Sequence, residues 1–316
     1  ISLLVMSIIL TSAIFLIYTS KLEYIILNSS KNSIQASYLA ESKIYMVLNK
    51  EEYYYEQLLP RIQRLLKYGR LTPTYDYRIR IDKNDLIEGD NNVNIYSTFN
   101  GIKKFATAKV TLLNEFFDMG LAIVSNDTIE ANKAKDYNDY MEYLREEITI
   151  PTLDDNIMGI EAIDYENIKI FKDMDDKINI EFFRNNLEAP IKKQILNNDK
   201  IFLIAKNKNT NPVTVSIESE NNLDKIILNG MIYLEGDFDI YNDIEFKGIL
   251  IINNGRLYID SSVKAEFEGI VLMQNHAEAI QKSDNIKTDF NRKEIRKYGI
   301  YLPRFIEPKI QVMKCN

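Results

Sequence analysis

Residues 1–20 read ISLLVMSIILTSAIFLIYTS and carry no charged side chain, the first charge being Lys21. Neither proline nor glycine occurs before Pro60, so one helix can continue past residue 50 without an internal breaker. At 1.5 Å per residue such a helix is about 75 Å long, well over the thickness of a bilayer core. We therefore predict a front half that spans a membrane and a rear half that packs on another part of the chain.

The apolar stretch fits an uncleaved membrane anchor, the core of a signal peptide or a buried core helix. Thr19-Ser20-Lys21 is a poor cleavage site, and a core helix rarely stays apolar on all faces over such a length. Membrane insertion is therefore favoured, with an extracytoplasmic head. Because the chain opens on Ile1 without a methionine, we expect a further segment upstream. The side chains expected to face lipid or neighbouring helices are Leu3, Leu4, Val5, Ile8, Ile9, Ile14, Phe15 and Ile17.

The composition restricts the classes of function that the chain can have. The 316 residues carry a net charge of −7, which argues against a nucleic-acid partner, and their number indicates two folded units plus an anchor. The single cysteine, Cys315, excludes an internal disulfide, and with His276 as the single histidine these counts argue against a Cys/His metal set or a Ser-His triad. We therefore predict a non-enzymatic protein with no catalytic, cofactor or metal site.

The rear half of the predicted helix is amphipathic. Its apolar side chains recur at spacings of three to five residues, which places them on one broad stripe that should pack on a globular body. A free coiled-coil stalk is the alternative, but few heptads are available for it. The stripe consists of Ile34, Leu39, Ile44, Val47 and Leu48, with Ala36 and Ala40 on or beside it.

Residues 35–44, QASYLAESKI, resemble the A-x-Y-L-A-E-[AS]-G-I signature of PilX-type minor pilins, in the type IV pilus and pseudopilin superfamily. The matching residues are Ala36, Tyr38, Leu39, Ala40, Glu41 and Ile44, whereas Lys43 stands where the signature has glycine. The resemblance covers about residues 1–50. It implies a subunit that is anchored in the membrane and then extracted into a pilus or pilus-like filament. The implied partners are other pilin subunits, the pilus assembly machinery, membrane lipid and a prepilin peptidase.

Major pilins of this superfamily carry a glutamate five residues into the mature protein. If Ile1 is the mature start, that place holds Val5, and no acid occurs before Glu23. A carboxylate inside a bilayer or filament core is costly unless a neighbour's terminal amine meets it. The resemblance therefore implies a subunit suited to the first position of a filament, in assembly, priming or adhesion. An ordinary membrane anchor explains the missing acid equally well.

Beyond the helix we predict an α+β fold, with the helix packed on an antiparallel β module and a β-rich C-terminal part. The expected helices cover residues 51–68, 137–147, 191–196 and 287–297. The expected strands cover residues 75–82, 93–97, 105–113, 163–171, 178–183, 201–205 and 306–312. The predicted segments are a transmembrane and amphipathic helix (1–52), a pilin-like α/β module (53–125), a mixed α/β region (126–222), β-solenoid-like repeats (223–283) and a cap with a last strand (284–316).

The clearest internal pattern lies in the C-terminal third. Three copies of h-x-G-h-h-h-h, where h is apolar, contain Gly230, Gly248 and Gly269 at spacings of 18 and 21 residues. A second glycine, Gly236 or Gly255, opens an alternating strand after each of the first two copies. This period predicts stacked β-solenoid coils with glycines at their corners. An antiparallel sandwich is the alternative.

Several acidic residues require an interpretation. Asp237, Asp239, Asp243 and Glu245 fall within nine residues and form either a metal or basic-polymer site or the outward face of strands, which we favour. The pairs at 154–155 and 173–176 lack the spacing of a calcium-binding loop and are expected to be solvated loop acids. Two further functions stay open: a membrane-anchored surface β-solenoid protein that binds or cleaves polysaccharide, and a self-polymerising β-helix scaffold.

Overall fold

The computed structural model describes residues 2–49, 59–68, 91–184, 189–206, 212–219, 225–274 and 285–315. The predicted strand at 75–82, residues 51–58 of the predicted helix at 51–68 and His276 therefore lie outside the described residues. The described helices are α1 (Ser2–Asn49), α2 (Leu59–Tyr68), α3 (Ala134–Glu147) and α4 (Arg292–Gly299), with a short 3-10 turn at Glu115–Phe117.

The described strands follow α1 and fill most of the remaining chain. A long apolar N-terminal helix followed by a mostly β region confirms the predicted α+β class. The strands are β1 (Asn91–Phe99), β2 (Ile102–Leu113), β3 (Ile123–Ser125), β4 (Met158–Ile163), β5 (Asn167–Lys172), β6 (Ile178–Phe183), β7 (Lys192–Ile195), β8 (Lys200–Lys206), β9 (Val213–Ser219), β10 (Ile226–Ile240), β11 (Ile244–Asn253), β12 (Leu257–Ile259), β13 (Ala265–Met273), β14 (Ile286–Phe290) and β15 (Ile306–Cys315).

The chain divides into two compact units. The first contains α1 and a three-stranded sheet in the order β1-β2-β15, so the C-terminal strand belongs with the N-terminal helix. β1 and β2 form an antiparallel hairpin that turns at Asn100 and Gly101, both of which have positive φ. α1 lies against β1, and Asn100 Nδ2 donates to Asn32 Oδ1 at 3.2 Å.

The rear half of α1 buries one narrow stripe of side chains. Ala36, Ala40 and Ile44 are fully buried and Leu48 nearly so, at a spacing of four residues along one face. Ile34 and Leu39, which were predicted on this stripe, are instead 53% and 39% exposed. The prediction for those two was wrong because the small alanines, rather than the larger residues beside them, define the line of close approach.

The second unit is built on parallel strands. In its first ladder, β4, β8, the front of β10, β11, β13 and β14 follow one another, each parallel to the next. In its second ladder, β5, β9, the rear of β10 and β12 are also parallel in that order. β10 therefore takes part in both ladders. This parallel pairing excludes the antiparallel sandwich as the arrangement of these strands.

The repeat glycines share one register in the first ladder. Gly230 pairs with Gly248, and Gly248 pairs with Gly269. All three have φ between +141° and +146°, which favours glycine. A Cβ atom on Gly248 would lie 1.9 Å from the carbonyl oxygen of Gly230, and one on Gly269 would lie equally close to that of Gly248. The column therefore requires glycine for both its conformation and its packing.

One core cluster draws side chains from both ladders. Ile232 and Leu250 belong to the first ladder, and Val215 and Ile240 belong to the second. Beyond the glycine column, both faces of the first ladder are buried, since Ile249, Leu250, Ile251 and Ile252 are all fully buried in sequence. Helix α4 lies against β10, β11 and β13, which covers part of the outer face.

Three predicted elements differ from the structure. Residues 191–196 were predicted as a helix but contain β7, which pairs antiparallel with β6. Residues 287–297 contain β14 before α4 begins at Arg292. The strand predicted at 163–171 is divided into β4 and β5 by a turn in which Asp164 has φ of 61°. β7 and β14 pair with the strands that precede them, β6 and β13, and this pairing outweighs local helix propensity.

Candidate functional site

The front of α1 carries the largest exposed apolar surface of the described residues. The eight side chains predicted to face lipid or other helices are exposed by 49% to 84%. Within the described part of the chain, α1 is also the helix that is long and apolar enough to cross a membrane by length and composition. The exposure of so many apolar side chains to water is unfavourable, and the helix has the length and composition of a membrane span.

Two threonine side chains in this stretch bond to the helix itself. The Thr11 hydroxyl donates to the carbonyl oxygen of Ser7 at 2.6 Å. The Thr19 hydroxyl donates to that of Phe15 at 3.0 Å. Both hydroxyl donors are therefore satisfied within the helix, as an apolar surrounding requires.

The QASYLAESKI residues divide between two faces of α1. Ala36, Ala40 and Ile44 are buried, while Tyr38 is 67% exposed. Glu41 faces the C-terminal strand, because the Cys315 thiol donates to Glu41 Oε1 at 3.2 Å. Burial, together with this hydrogen bond, raises the pKa of the Cys315 thiol to about 11. The thiol is thus protonated at neutral pH and joins β15 to α1.

The four clustered acids serve different parts of the second unit. Asp243 Oδ1 accepts from the Lys264 backbone N–H at 2.7 Å, which fixes a turn. Glu245 lies between Lys225, at 2.8 Å, and Lys247, at 3.1 Å. Asp237 and Asp239 lie on the second ladder. The structure therefore does not bring the four carboxylates together.

Lys225, Glu245, Lys247, Glu266 and Glu268 form a charge ladder on the outer face of the first ladder, before the glycine column. Lys225 also contacts Glu266 at 2.7 Å, and Lys247 contacts Glu268 at 3.0 Å. Hydrogen bonds from Lys225 and Lys247 lower the pKa of Glu245, and those from Lys247 and Asn291 lower that of Glu268. Each charge has a partner of opposite sign, so the charge ladder is a self-contained feature.

Asp239, Tyr241, Tyr258, Asp237 and Arg256 make up what we call the tyrosine–aspartate face of the second ladder. Asp239 is the direct strand neighbour of Tyr258, and Tyr241 follows two residues after Asp239, on the same outward side. The Tyr241 and Tyr258 rings lie 5.8 Å apart between centroids, at 51°. They are 44% and 40% exposed. The rings thus form a rim that is open to solvent.

The charges on this face are unevenly paired. Asp237 accepts from Arg256 Nε at 3.3 Å and from the Arg256 backbone N–H at 3.1 Å. The neighbouring Glu218 is held by Lys169 at 3.3 Å. Asp239, in contrast, is only 8% exposed, and its Oδ1 has no hydrogen-bond partner among the described residues. Burial raises the pKa of Asp239, while the nearby Arg256 opposes the increase.

The sequence identified Asp237 and Asp239 but missed the tyrosines. Tyr258 lies 19 residues after Asp239, about one repeat of the glycine pattern. Writing the repeats beneath one another would have placed the two residues side by side. The glycine spacing was thus a usable signal for this face.

No group of three or more His, Cys, Asp or Glu side chains is arranged to hold a metal ion within the described ranges. Comparison of the chain with protein-family models, with curated proteins and with solved structures gives no significant match. The functional interpretation therefore depends on the geometry of α1 and of the two ladders.

Proposed function

We propose that this chain is a non-enzymatic minor pilin or pseudopilin subunit. It is held in a cytoplasmic membrane by the front of α1, with its β-rich head on the extracytoplasmic side. On assembly, the front of α1 exchanges lipid for the helices of other subunits in a pilus or pilus-like filament. The subunit acts in filament assembly, priming or surface adhesion.

The observation that carries this proposal is the division of one continuous helix into two environments. α1 runs unbroken from Ser2 to Asn49. Its front is exposed and apolar, whereas Ala36, Ala40 and Ile44 in its rear half are buried. The rear half of such a helix stays packed on its own sheet while the exposed front half moves from lipid to neighbouring helices. No refolding is needed, since the same apolar surface suits both surroundings.

The QASYLAESKI resemblance supports the same function. Its alanines occupy the buried line of α1, and its tyrosine is exposed. Val5, at the place where major pilins carry an acid, is 49% exposed on the apolar front. A subunit with no neighbour ahead of it gains nothing from a carboxylate there, which agrees with an initiating position.

For the head, we propose that the two parallel ladders are the sides of a short β-solenoid. The aligned column of Gly230, Gly248 and Gly269 supports this arrangement, as does the passage of β10 through both ladders. A repeat of this kind buries its apolar row only when neighbouring coils stack on it.

Cleavage of polysaccharide is less well supported. Glycosidases place two carboxyl groups across the scissile bond, one of them free to donate a proton. Asp237 is bound to Arg256 here, which leaves Asp239 without an available partner acid on this face.

Photo-crosslinking tests the proposed function. Ile9 is replaced by benzoylphenylalanine in the protein expressed behind a prepilin leader in cells that assemble type IV pili. We expect ultraviolet light to join it to other subunits in sheared filaments. The control places the same group at Asp175, whose side chain is 79% exposed in the β5–β6 turn, and should give no such adduct. An unprocessed protein that stays in the membrane without adducts at position 9 would overturn the proposal.

A further inference from the structure

We propose that the tyrosine–aspartate face binds a small primary ammonium ion through Asp239, with Tyr241 and Tyr258 forming the walls of the site. The ligand class is an organic amine that carries N–H donors. This inference does not depend on the membrane or filament function of the chain.

The first argument is the hydrogen bonding of Asp239. Its Oδ1 is buried and lacks a donor among the described residues, and such an acceptor costs free energy until a donor reaches it. The Tyr241 hydroxyl interacts with the carboxylate but leaves Oδ1 unpartnered. An ammonium N–H would supply the missing hydrogen bond, and this bond would be charge-assisted.

The second argument is the charge balance. The carboxylates of Asp237 and Glu218 each have their own cation, Arg256 and Lys169, both at 3.3 Å. These four groups cancel, so among the residues that the structure describes Asp239 contributes one uncompensated negative charge to the face. A monovalent cation therefore matches the site, whereas an anion would be repelled.

The third argument is the pair of tyrosine rings. The face of an aromatic ring attracts cations, and rings beside a carboxylate select organic ammonium groups over hydrated metal ions. Arg256 already uses this attraction, because its guanidinium lies 6.0 Å from the centroid of Tyr258. The Arg256 side chain is 69% exposed, so it can leave the ring when a ligand binds.

Isothermal titration and ¹⁹F NMR test the site. The full chain, labelled with fluorotyrosine in non-ionic micelles, is titrated with ethylammonium, and the signals are assigned through Tyr241→Phe and Tyr258→Phe. We expect the Tyr241 and Tyr258 signals to shift with saturation, while ethanol and sodium chloride at equal concentrations leave them in place. Tetramethylammonium, which has no N–H donor, should bind about 10-fold more weakly.

The variants separate binding from folding. Asp239→Asn keeps the shape of the side chain, and should weaken ethylammonium binding about 10-fold or more while the other tyrosine signals stay unchanged. Asp289→Asn removes an acid on β14 of the first ladder and should not alter binding. Tyr258→Ala should weaken binding several-fold.

Three results would each overturn the proposal. The first is that the parent chain and Asp239→Asn bind ethylammonium equally well. The second is that ethanol shifts the Tyr241 and Tyr258 signals as much as ethylammonium does. The third is that no concentration of ethylammonium gives a saturable shift. Stronger binding of tetramethylammonium would assign the site to the rings alone and would also refute the function proposed for Asp239.

Discussion

The front of α1 and strand β11 are both rich in aliphatic residues, yet their surroundings are opposite. Ile249 to Ile252 in β11 are fully buried by other parts of the second unit. Ile8 and Ile9 in α1 are 57% and 64% exposed. In β11 the chain supplies its own apolar partners, through parallel strands one repeat away. For the front of α1, the described part of the chain supplies no such partners.

The strongest test introduces the same charge into both regions. Ile251→Asp should lower the free energy of unfolding of the second unit by at least about 4 kcal/mol, because it buries an unpaired carboxylate. Ile9→Asp should leave that unfolding unchanged and weaken membrane insertion by about 3 kcal/mol. Urea unfolding and partition into vesicles measure the two effects. A loss of head stability in Ile9→Asp would contradict the distinction between the two regions.

The glycine column offers the next largest effect. Gly248→Ala brings a Cβ within 1.9 Å of a backbone oxygen at a positive φ, so we expect a loss of roughly 3 kcal/mol or more, or failure to fold. Gly120→Ala is the matched control, since Gly120 also has a positive φ but nothing lies within 4 Å of its added Cβ. It should cost only about 1 kcal/mol. Equal thermal stability of the two variants would show that the column does not constrain the strands.

A smaller effect tests the rear half of α1. Ala40→Leu overfills the fully buried line against the sheet and should lower the unfolding free energy by about 1–3 kcal/mol. Tyr38→Leu, on the exposed side, should change it by no more than about 0.5 kcal/mol. Chemical unfolding of both variants measures the difference. If the two substitutions cost the same, the rear half of α1 is not packed through its alanines.

The smallest effect concerns the pH dependence of stability. Because the pKa of folded Asp239 is raised, its ionised form destabilises the fold, and the unfolding free energy decreases as pH rises through the raised pKa. Asp239→Asn should therefore stabilise the protein at neutral pH by up to about 1 kcal/mol, and the gain should vanish below the ordinary aspartate range. The surrounding charged and titratable groups are Asp237, Glu218, Arg256, Lys169, Tyr241 and Tyr258. A Lys169 variant, which removes a charge that does not shift the pKa of Asp239, is the control. If the gain in unfolding free energy did not depend on pH, it could not be attributed to the ionisation of Asp239.

The sequence was most informative where a pattern is local or repeated. The absence of glycine and proline before Pro60 predicted the length of α1, and the spacing of the repeats predicted which glycines align. It failed for β7, because Lys192–Ile195 is a strand through its antiparallel pairing with the preceding strand β6, which the local pattern of residues does not show. It also failed at Ile34 and Leu39, since hydrophobicity alone does not show that the small alanines of the helix form its buried line.

The position of β15 has a consequence for biosynthesis. Nearly all of the second unit lies in the chain between β2 and β15, although both of these strands belong to the sheet of the first unit. During translation, α1 therefore emerges from the ribosome early. The third strand of its sheet, β15, emerges only after the second unit has been translated. A truncated or stalled product would present α1 without its completed support, which gives cellular proteolysis a means of removing incomplete chains.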